Sequence, residues 1–74
     1  MAKKNAEGGV YRVTEIIGTS PVSWEAAAKS AVETAAKSLR DLRIAEVTKL
    51  DVKIDNGKVT QFRTRLALSF KYGA

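Results

Sequence analysis

The chain has 74 residues, with 13 lysines and arginines against 8 aspartates and glutamates, and it contains neither cysteine nor histidine. That length accommodates one small domain, and the hydrophobic share of 45% is ordinary for a globular protein. Zinc sites, disulfides and catalysis by thiolate or imidazole are therefore excluded, and any metal site must have oxygen ligands, which suit calcium or magnesium. Because the sequence shows neither a signal-peptide pattern nor an apolar run of roughly 20 residues, we expect a soluble, cytoplasmic domain without membrane contact.

The first segments of the chain predict a tail followed by a strand. Residues 1–9 are polar and end in two glycines, which is typical of a flexible tail, so we place the domain at residues 10–74. Residues 10–17 are rich in β-branched and aromatic types and predict a strand. The Gly-Thr-Ser-Pro sequence at residues 18–21 is expected to end that strand.

A helix is predicted to begin after this turn. Ser23 is a suitable N-cap, and Glu25 in the first turn places a carboxylate at the positive helix end. We expect the helix to end between Arg40 and Arg43, whose cations suit the negative end. Apolar residues, mostly alanines, recur along this segment at helical spacing: Ala28, Ala31, Val32, Ala35, Leu39 and Leu42.

The rest of the chain predicts a long hairpin. Residues 44–55 and 58–72 flank Asn56-Gly57, a strong signal for a two-residue turn. Such a turn sets the register, with Asp55 opposite Lys58 and Ile54 opposite Val59, unless a bulge shifts it.

Alternation along that register separates two faces of the hairpin. The face assigned to the helix holds Ala45, Val47, Phe62, Thr64, Leu66, Leu68 and Phe70. The opposite face holds Ile44, Glu46, Thr48, Leu50, Val52, Ile54, Val59, Gln61, Arg63, Arg65 and Ser69. One helix cannot cover both faces, and a mixed apolar face in water favours association. We therefore predict a homo-oligomer with a ligand or another subunit against the second face.

Four stretches in this order resemble the dodecins: VYRVTEIIGTSP at residues 10–21, SWE at 23–25, LRIAEV at 42–47 and RLALSFKY at 65–72. The resemblance implies an α+β fold, a single βαββ domain whose antiparallel three-stranded sheet partly wraps one helix. It also implies that twelve protomers form a hollow homododecamer. Flavin-binding dodecins hold paired flavins inside this shell, so the implied role is storage and sequestration of riboflavin or FMN.

The resemblance also indicates which residues face the ligand. In flavin-binding dodecins a tryptophan that stacks on the flavin ring occupies the position of Ile44, and a glutamine occupies that of Arg63. Isoleucine offers contact area without π-stacking, and arginine only donates hydrogen bonds. The cofactor site implied by the resemblance is formed by Ile44, Glu46, Gln61, Arg63 and Arg65. Trp24 lies far from the stacking position along the chain and is interpreted as a packing anchor between the helix and a neighbouring subunit.

The alternative function is divalent-cation binding or a structural role. The sequence is closer to a dodecin branch without the stacking tryptophan, which includes a calcium-binding type. The candidate ligands are Asp51, Asp55, Glu46 and Glu25, none of them at EF-hand spacing. Asp55 has a structural explanation as part of the Asp-Asn-Gly turn.

Two other function classes are disfavoured by the residues. The scattered acids form no paired constellation and no hydroxyl has an evident base, so we do not expect an enzyme. The net charge of +5 could attract polyanions in low salt, but the chain carries no recognition motif for specific nucleic-acid binding. Storage or binding of a small ligand is therefore the predicted function.

Overall fold

The structure, a computed structural model, describes residues 9–71. Its elements are β1 (Tyr11–Ser20), α1 (Trp24–Ala35), β2 (Leu42–Asp55) and β3 (Lys58–Lys71). The strands form one antiparallel sheet in the order β1-β3-β2, so the predicted α+β class and βαββ element order are confirmed. Most of the predicted tail, residues 1–8, and the last three residues of the predicted domain lie outside the described residues, so those boundaries stay predictions.

Strand β1 does not end at Gly18, as the sequence suggested, but continues to Ser20. Gly18 lies opposite Thr64 of β3 and is buried under the helix. A β-carbon at this position would overlap the backbone oxygen of Ala27 and lie only 2.8 Å from the β-carbon of Ala31. The glycine is thus needed for the close approach of helix and strand, and it does not break the strand.

Helix α1 begins as predicted and ends earlier than predicted. The Ser23 side chain accepts a hydrogen bond of 3.0 Å from the backbone N–H of Ala26, which confirms the N-cap. The α-helix ends at Ala35, and a turn follows in which the carbonyl of Ala35 accepts hydrogen bonds from the N–H groups of both Ser38 and Leu39. Asp41 then adopts a positive φ of 57° and redirects the chain into β2.

The core lies between α1 and the helix-facing side of β1 and β3. Its fully buried side chains include Ala27, Leu66 and Leu68, and the predicted alanine-rich stripe packs against it, including Leu39 and Leu42 beyond the helix end. Small alanines let the helix approach the sheet closely, as the overlap at Gly18 also shows. The helix lies mainly over β1 and β3 and touches β2 little.

The hairpin turn has the predicted conformation. Asn56 and Gly57 have φ values of 53° and 74°, which identifies a type I′ turn, and Asp55 and Ile54 have their predicted partners.

Two bulges then shift the register and restore it. Thr60 on β3 is skipped in the pairing, and so is Thr48 on β2, so residues 49–53 are displaced by one position while residues 44–47 regain the predicted alignment. The hydroxyl of Thr60 bonds the Asp55 carboxylate at 2.8 Å, and that of Thr48 bonds the Arg65 carbonyl at 3.3 Å.

Because residues 49–53 are displaced by one position, two predicted side-chain positions are wrong. Leu50 lies opposite Thr64, and Val52 lies opposite Phe62, so both belong to the helix-facing side and not to the opposite face. Leu50 is nevertheless 52% exposed, because the helix does not reach across to β2. Apolar surface thus remains uncovered on β2, but on the same side as the helix.

Candidate ligand-binding face

The side of the sheet turned away from the helix carries most of the predicted site residues, and we call it the outer face. It is defined by cross-strand pairing and alternation around the buried Thr64, Leu66 and Leu68. Its members are Tyr11, Val13, Glu15, Ile17 and Thr19 of β1, Ile44, Glu46, Lys49, Asp51 and Lys53 of β2, and Gln61, Arg63, Arg65, Ala67, Ser69 and Lys71 of β3.

The five predicted cofactor residues share this face, but four of them form two separate groups at its ends, with Arg65 between the groups. Ile44 lies opposite Ser69, six positions along β3 from Arg63, which corresponds to roughly 20 Å at the usual rise per strand residue. Ile44 and Glu46 therefore occupy one end of the face, whereas Gln61 and Arg63 occupy the end near the turn. A single small ligand can touch both ends only if they come from different copies of the chain.

Arg63 is engaged in an ion pair that sequence reasoning missed. Its Nε donates to Oδ1 of Asp51 at 2.7 Å, and its Nη2 donates to Oδ2 at 3.1 Å, so the contact is bidentate. These hydrogen bonds from Arg63 are the main reason that the pKa of Asp51 is lowered and that of Arg63 is raised. An uninterrupted register would set Asp51 opposite Phe62, on the other side of the hairpin, and the bulge at Thr60 brings it to Arg63.

Arg65 lies between the two groups and makes a longer contact. Its guanidinium is 3.9 Å from the carboxylate of Glu15 on β1, and its positive charge also lowers the pKa of Asp51. Glu15 was not predicted as a site residue, because only the pairing of β1 with β3, which no turn specifies, brings it to this face.

Two carboxylates flank one small residue in the middle of the outer face. Glu15 on β1 and Glu46 on β2 both lie opposite Ala67 of the central strand. The two strands are two spacings apart, so the α-carbons of the glutamates are roughly 10 Å from each other. The methyl group of Ala67 leaves the space above it open, and both glutamates are exposed.

The remaining acidic candidates lie elsewhere. Asp55 accepts the hydroxyl of Thr60 and is 3.9 Å from the Lys53 ammonium group, which fits its predicted role in the turn. Glu25 is in the first turn of α1. Within residues 9–71 of a single chain, no three acidic side chains come together as a metal-binding group.

Trp24 anchors the helix start to the hairpin of its own chain, whereas its predicted contact with a neighbouring subunit stays a prediction. Its indole Nε1 donates to the Asp51 carbonyl at 3.0 Å, and its ring packs edge-to-face on Phe62 with centroids 5.1 Å apart. The Thr64 hydroxyl donates to the backbone oxygen of Trp24 at 2.9 Å. Next to this anchor lies an open, mostly apolar groove of about 240 Å³, lined by Trp24, Glu25, Ala28, Val47, Leu50 and Thr64.

Comparison with known proteins decides the family. The Dodecin family model matches residues 10–73, which is most of the 74-residue chain. The chain belongs to the dodecin family. Among curated relatives, this dodecin is 51% identical over 63 residues to the calcium dodecin of Mycobacterium tuberculosis, covering 84% of this chain and 87% of that protein. It is also 34% identical over 64 residues to the dodecin of Thermus thermophilus, covering 86% of this chain and 93% of the relative.

Solved structures agree with the fold of this dodecin. The dodecin from Streptomyces coelicolor superposes with a TM-score of 0.84 at 36% identity, covering 93% of this chain and 99% of that one. The crystal structure of the M. tuberculosis calcium dodecin, described as a calcium-chelating antigen with a novel calcium-binding site, gives a TM-score of 0.76 at 49% identity, with 84% and 89% coverage. Among residues 9–71, no helix is long and apolar enough to cross a membrane.

Proposed function

We propose that this dodecin is a non-catalytic, homododecameric storage protein that sequesters calcium on its outer face. The observation that carries the proposal is the row formed by Glu15, Ala67 and Glu46 across the three strands. The similarity to a calcium dodecin supports the choice of metal.

The chemistry of the row suits a hard divalent cation. Calcium takes six to eight oxygen ligands at roughly 2.3–2.6 Å and accepts irregular geometry. The carboxylates of Glu15 and Glu46 supply up to four oxygens above the small Ala67 side chain. Water or an oxygen from a second copy would complete the shell. Of the two carboxylates, Glu15 is the one that Arg65 approaches at 3.9 Å, so calcium would compete with that arginine.

Self-association is favoured by the apolar surface that one chain leaves open. Val47 and Leu50 on β2 are half-exposed beside the groove next to Trp24, because the helix covers mainly the other two strands. On the outer face, Ile17 is 46% and Ile44 is 65% exposed. A small domain without a disulfide or zinc site is often stabilised by association, and clustered exposed apolar side chains such as these mark the contact surface.

Calcium titration of the metal-free protein by isothermal calorimetry tests the proposal. Wild-type protein is expected to bind calcium, and Glu46→Gln is expected to weaken binding at least tenfold, because it removes one of the two ligating charges. The matched control is Glu25→Gln, which removes the same charge at the helix start and should bind as the wild type does. No calcium binding by the wild type, or equal losses in both variants, would contradict the proposed site.

Flavin storage is the second candidate, and the position of Ile44 favours it. Ile44 is 65% exposed on the outer face, where the flavin-stacking residue of the family is expected, and Arg63, Arg65 and Gln61 share that face. The roughly 20 Å between Ile44 and Arg63 means that a flavin would bind between copies. The absorption spectrum of the freshly purified protein tests this candidate, since bound flavin makes the protein yellow and a protein with calcium alone is colourless.

A further inference from the structure

We infer that Asp51 is a specificity-determining residue that keeps phosphorylated ligands off the outer face by occupying the guanidinium of Arg63. The inference goes beyond calcium or flavin storage and does not depend on which of these is the native function.

The first step is the local balance of charge. Arg63 and Arg65 lie at alternate positions of β3, and Lys49 lies opposite Arg65 on β2. The same surface carries three carboxylates, and the two that pair with arginines are Asp51 of β2, with Arg63, and Glu15 of β1, with Arg65. Arginines at alternate positions of a strand are suited to bind phosphate, because each guanidinium can donate two parallel hydrogen bonds.

The second step is the geometry of the ion pair. Asp51 takes both donors that a phosphate would use on this edge of Arg63, at 2.7 and 3.1 Å. By contrast, Glu15 is 3.9 Å from the Arg65 guanidinium, which is beyond hydrogen-bond distance. Asp51 is therefore the carboxylate that matters for anion selectivity, while Glu15 leaves Arg65 able to donate.

The third step is how Asp51 is held in place. Its backbone carbonyl accepts the Trp24 indole N–H at 3.0 Å, and its strand position follows from the bulge at Thr60. The side chain thus projects towards Arg63 from a backbone that is fixed on two sides. Replacing only its carboxylate by an amide leaves this backbone contact intact.

The test is the affinity for inorganic pyrophosphate and for FMN against riboflavin, measured by calorimetry at fixed low salt. In Asp51→Asn the pyrophosphate affinity should rise about tenfold, the increment expected for one added charge-assisted contact. The preference for FMN over riboflavin should rise by a similar factor if flavin binds. The matched control is Asp55→Asn, which changes the net charge equally near the turn and should show a much smaller rise.

A double variant separates the role of Arg63 from net charge. Adding Arg63→Gln to Asp51→Asn should return pyrophosphate affinity to the wild-type level or below. Equal gains in the Asp51 and Asp55 variants, no gain in Asp51→Asn, or a gain that survives in the double variant would each overturn the inference. Calcium titrations of the same proteins report on the proposed storage function separately, because Glu15 and Glu46 are unchanged in all of them.

Discussion

The indole N–H of Trp24 at the start of the helix donates a hydrogen bond to the backbone carbonyl of Asp51, 27 residues further along the chain. The same aspartate binds Arg63 through its side chain. The helix start is thereby fastened to the segment of β2 that carries the ion pair, and the position of one affects the other.

Trp24→Phe tests the contribution of the indole N–H. The aromatic packing on Phe62 should remain, but the hydrogen bond to the Asp51 carbonyl is lost. We expect the free energy of unfolding to fall by about 1 kcal/mol, the usual net value of such a bond. Urea denaturation at fixed protein concentration measures this, since the stability of an oligomer depends on concentration. An unchanged midpoint would show that the bond adds nothing to stability.

Gly18→Ala should destabilise the protein by about 1–3 kcal/mol, in the range of other overpacked cores. The added methyl group would meet the Ala27 backbone and the Ala31 side chain, so the helix must move away from β1. Thermal unfolding of this variant against Thr19→Ala, the exposed neighbour, isolates the effect. Equal stability of the two variants would contradict the close packing of helix and strand.

Gly57→Ala should also destabilise, but for a different reason. Nothing lies within 4 Å of the added methyl group, yet φ at Gly57 is +74°, where an alanine costs about 1 kcal/mol. The loss should appear in the free energy of unfolding with little change in oligomer mass. A loss as large as that of a core substitution would mean that the turn makes contacts beyond this chain.

The Asp51–Arg63 pair predicts a specific dependence of stability on pH. The pKa of Asp51 is lowered in the folded state, so its contribution is complete above the unfolded value of about 3.9 and is lost as the pH falls through the folded pKa. Urea midpoints of wild type and Asp51→Asn should therefore differ at pH 7, and the difference should shrink as the pH falls below the unfolded value. Arg63 remains charged throughout this range, because a guanidinium loses its proton only at far higher pH. A constant difference from pH 7 to pH 2 would contradict the pairing.

Leu50→Glu should weaken self-association. The half-exposed Leu50 side chain lies beside the groove next to Trp24, and a buried charge there would be unpaired. Native mass spectrometry is expected to show twelve chains for the wild type and smaller species for the variant, with circular dichroism to confirm that the protomer is folded. If the folded variant kept the mass of the wild-type assembly, Leu50 would not lie in a subunit interface.

Much of the fold follows from local chemistry that the sequence displays. The Ser23 cap and the Asn56-Gly57 turn act on their immediate neighbours, and the helix-facing positions of Leu66 and Leu68 follow from simple alternation. Residues that depend on distant contacts were predicted less well. From the sequence alone, Gly18 suggests the end of the strand, because glycine is suited both to turns and to close packing. Only the position of the helix shows that close packing is its role here.

The candidate site was predicted only in part, because some of its residues also depend on distant contacts. Ile44 and Arg63 share a face, as the hairpin register required, although they are roughly 20 Å apart along it. The partner of Arg63 was missed, because threonine at a bulge looks like threonine in a regular strand. Glu15 was missed because β1 and β3 lie at opposite ends of the sequence and no local signal predicts their pairing.

The two threonine bulges decide which side chains of β2 reach the outer face. If Thr48 paired with Leu66 in a regular ladder instead of bulging, residues 49–53 would stay paired as they are, but every side chain from Ile44 to Val47 would turn to the other side of the sheet. Glu46 would then exchange places with apolar neighbours such as Val47. A register slip of one residue at this point, without any change in the sequence, is thus enough to convert an acidic binding surface into an apolar one.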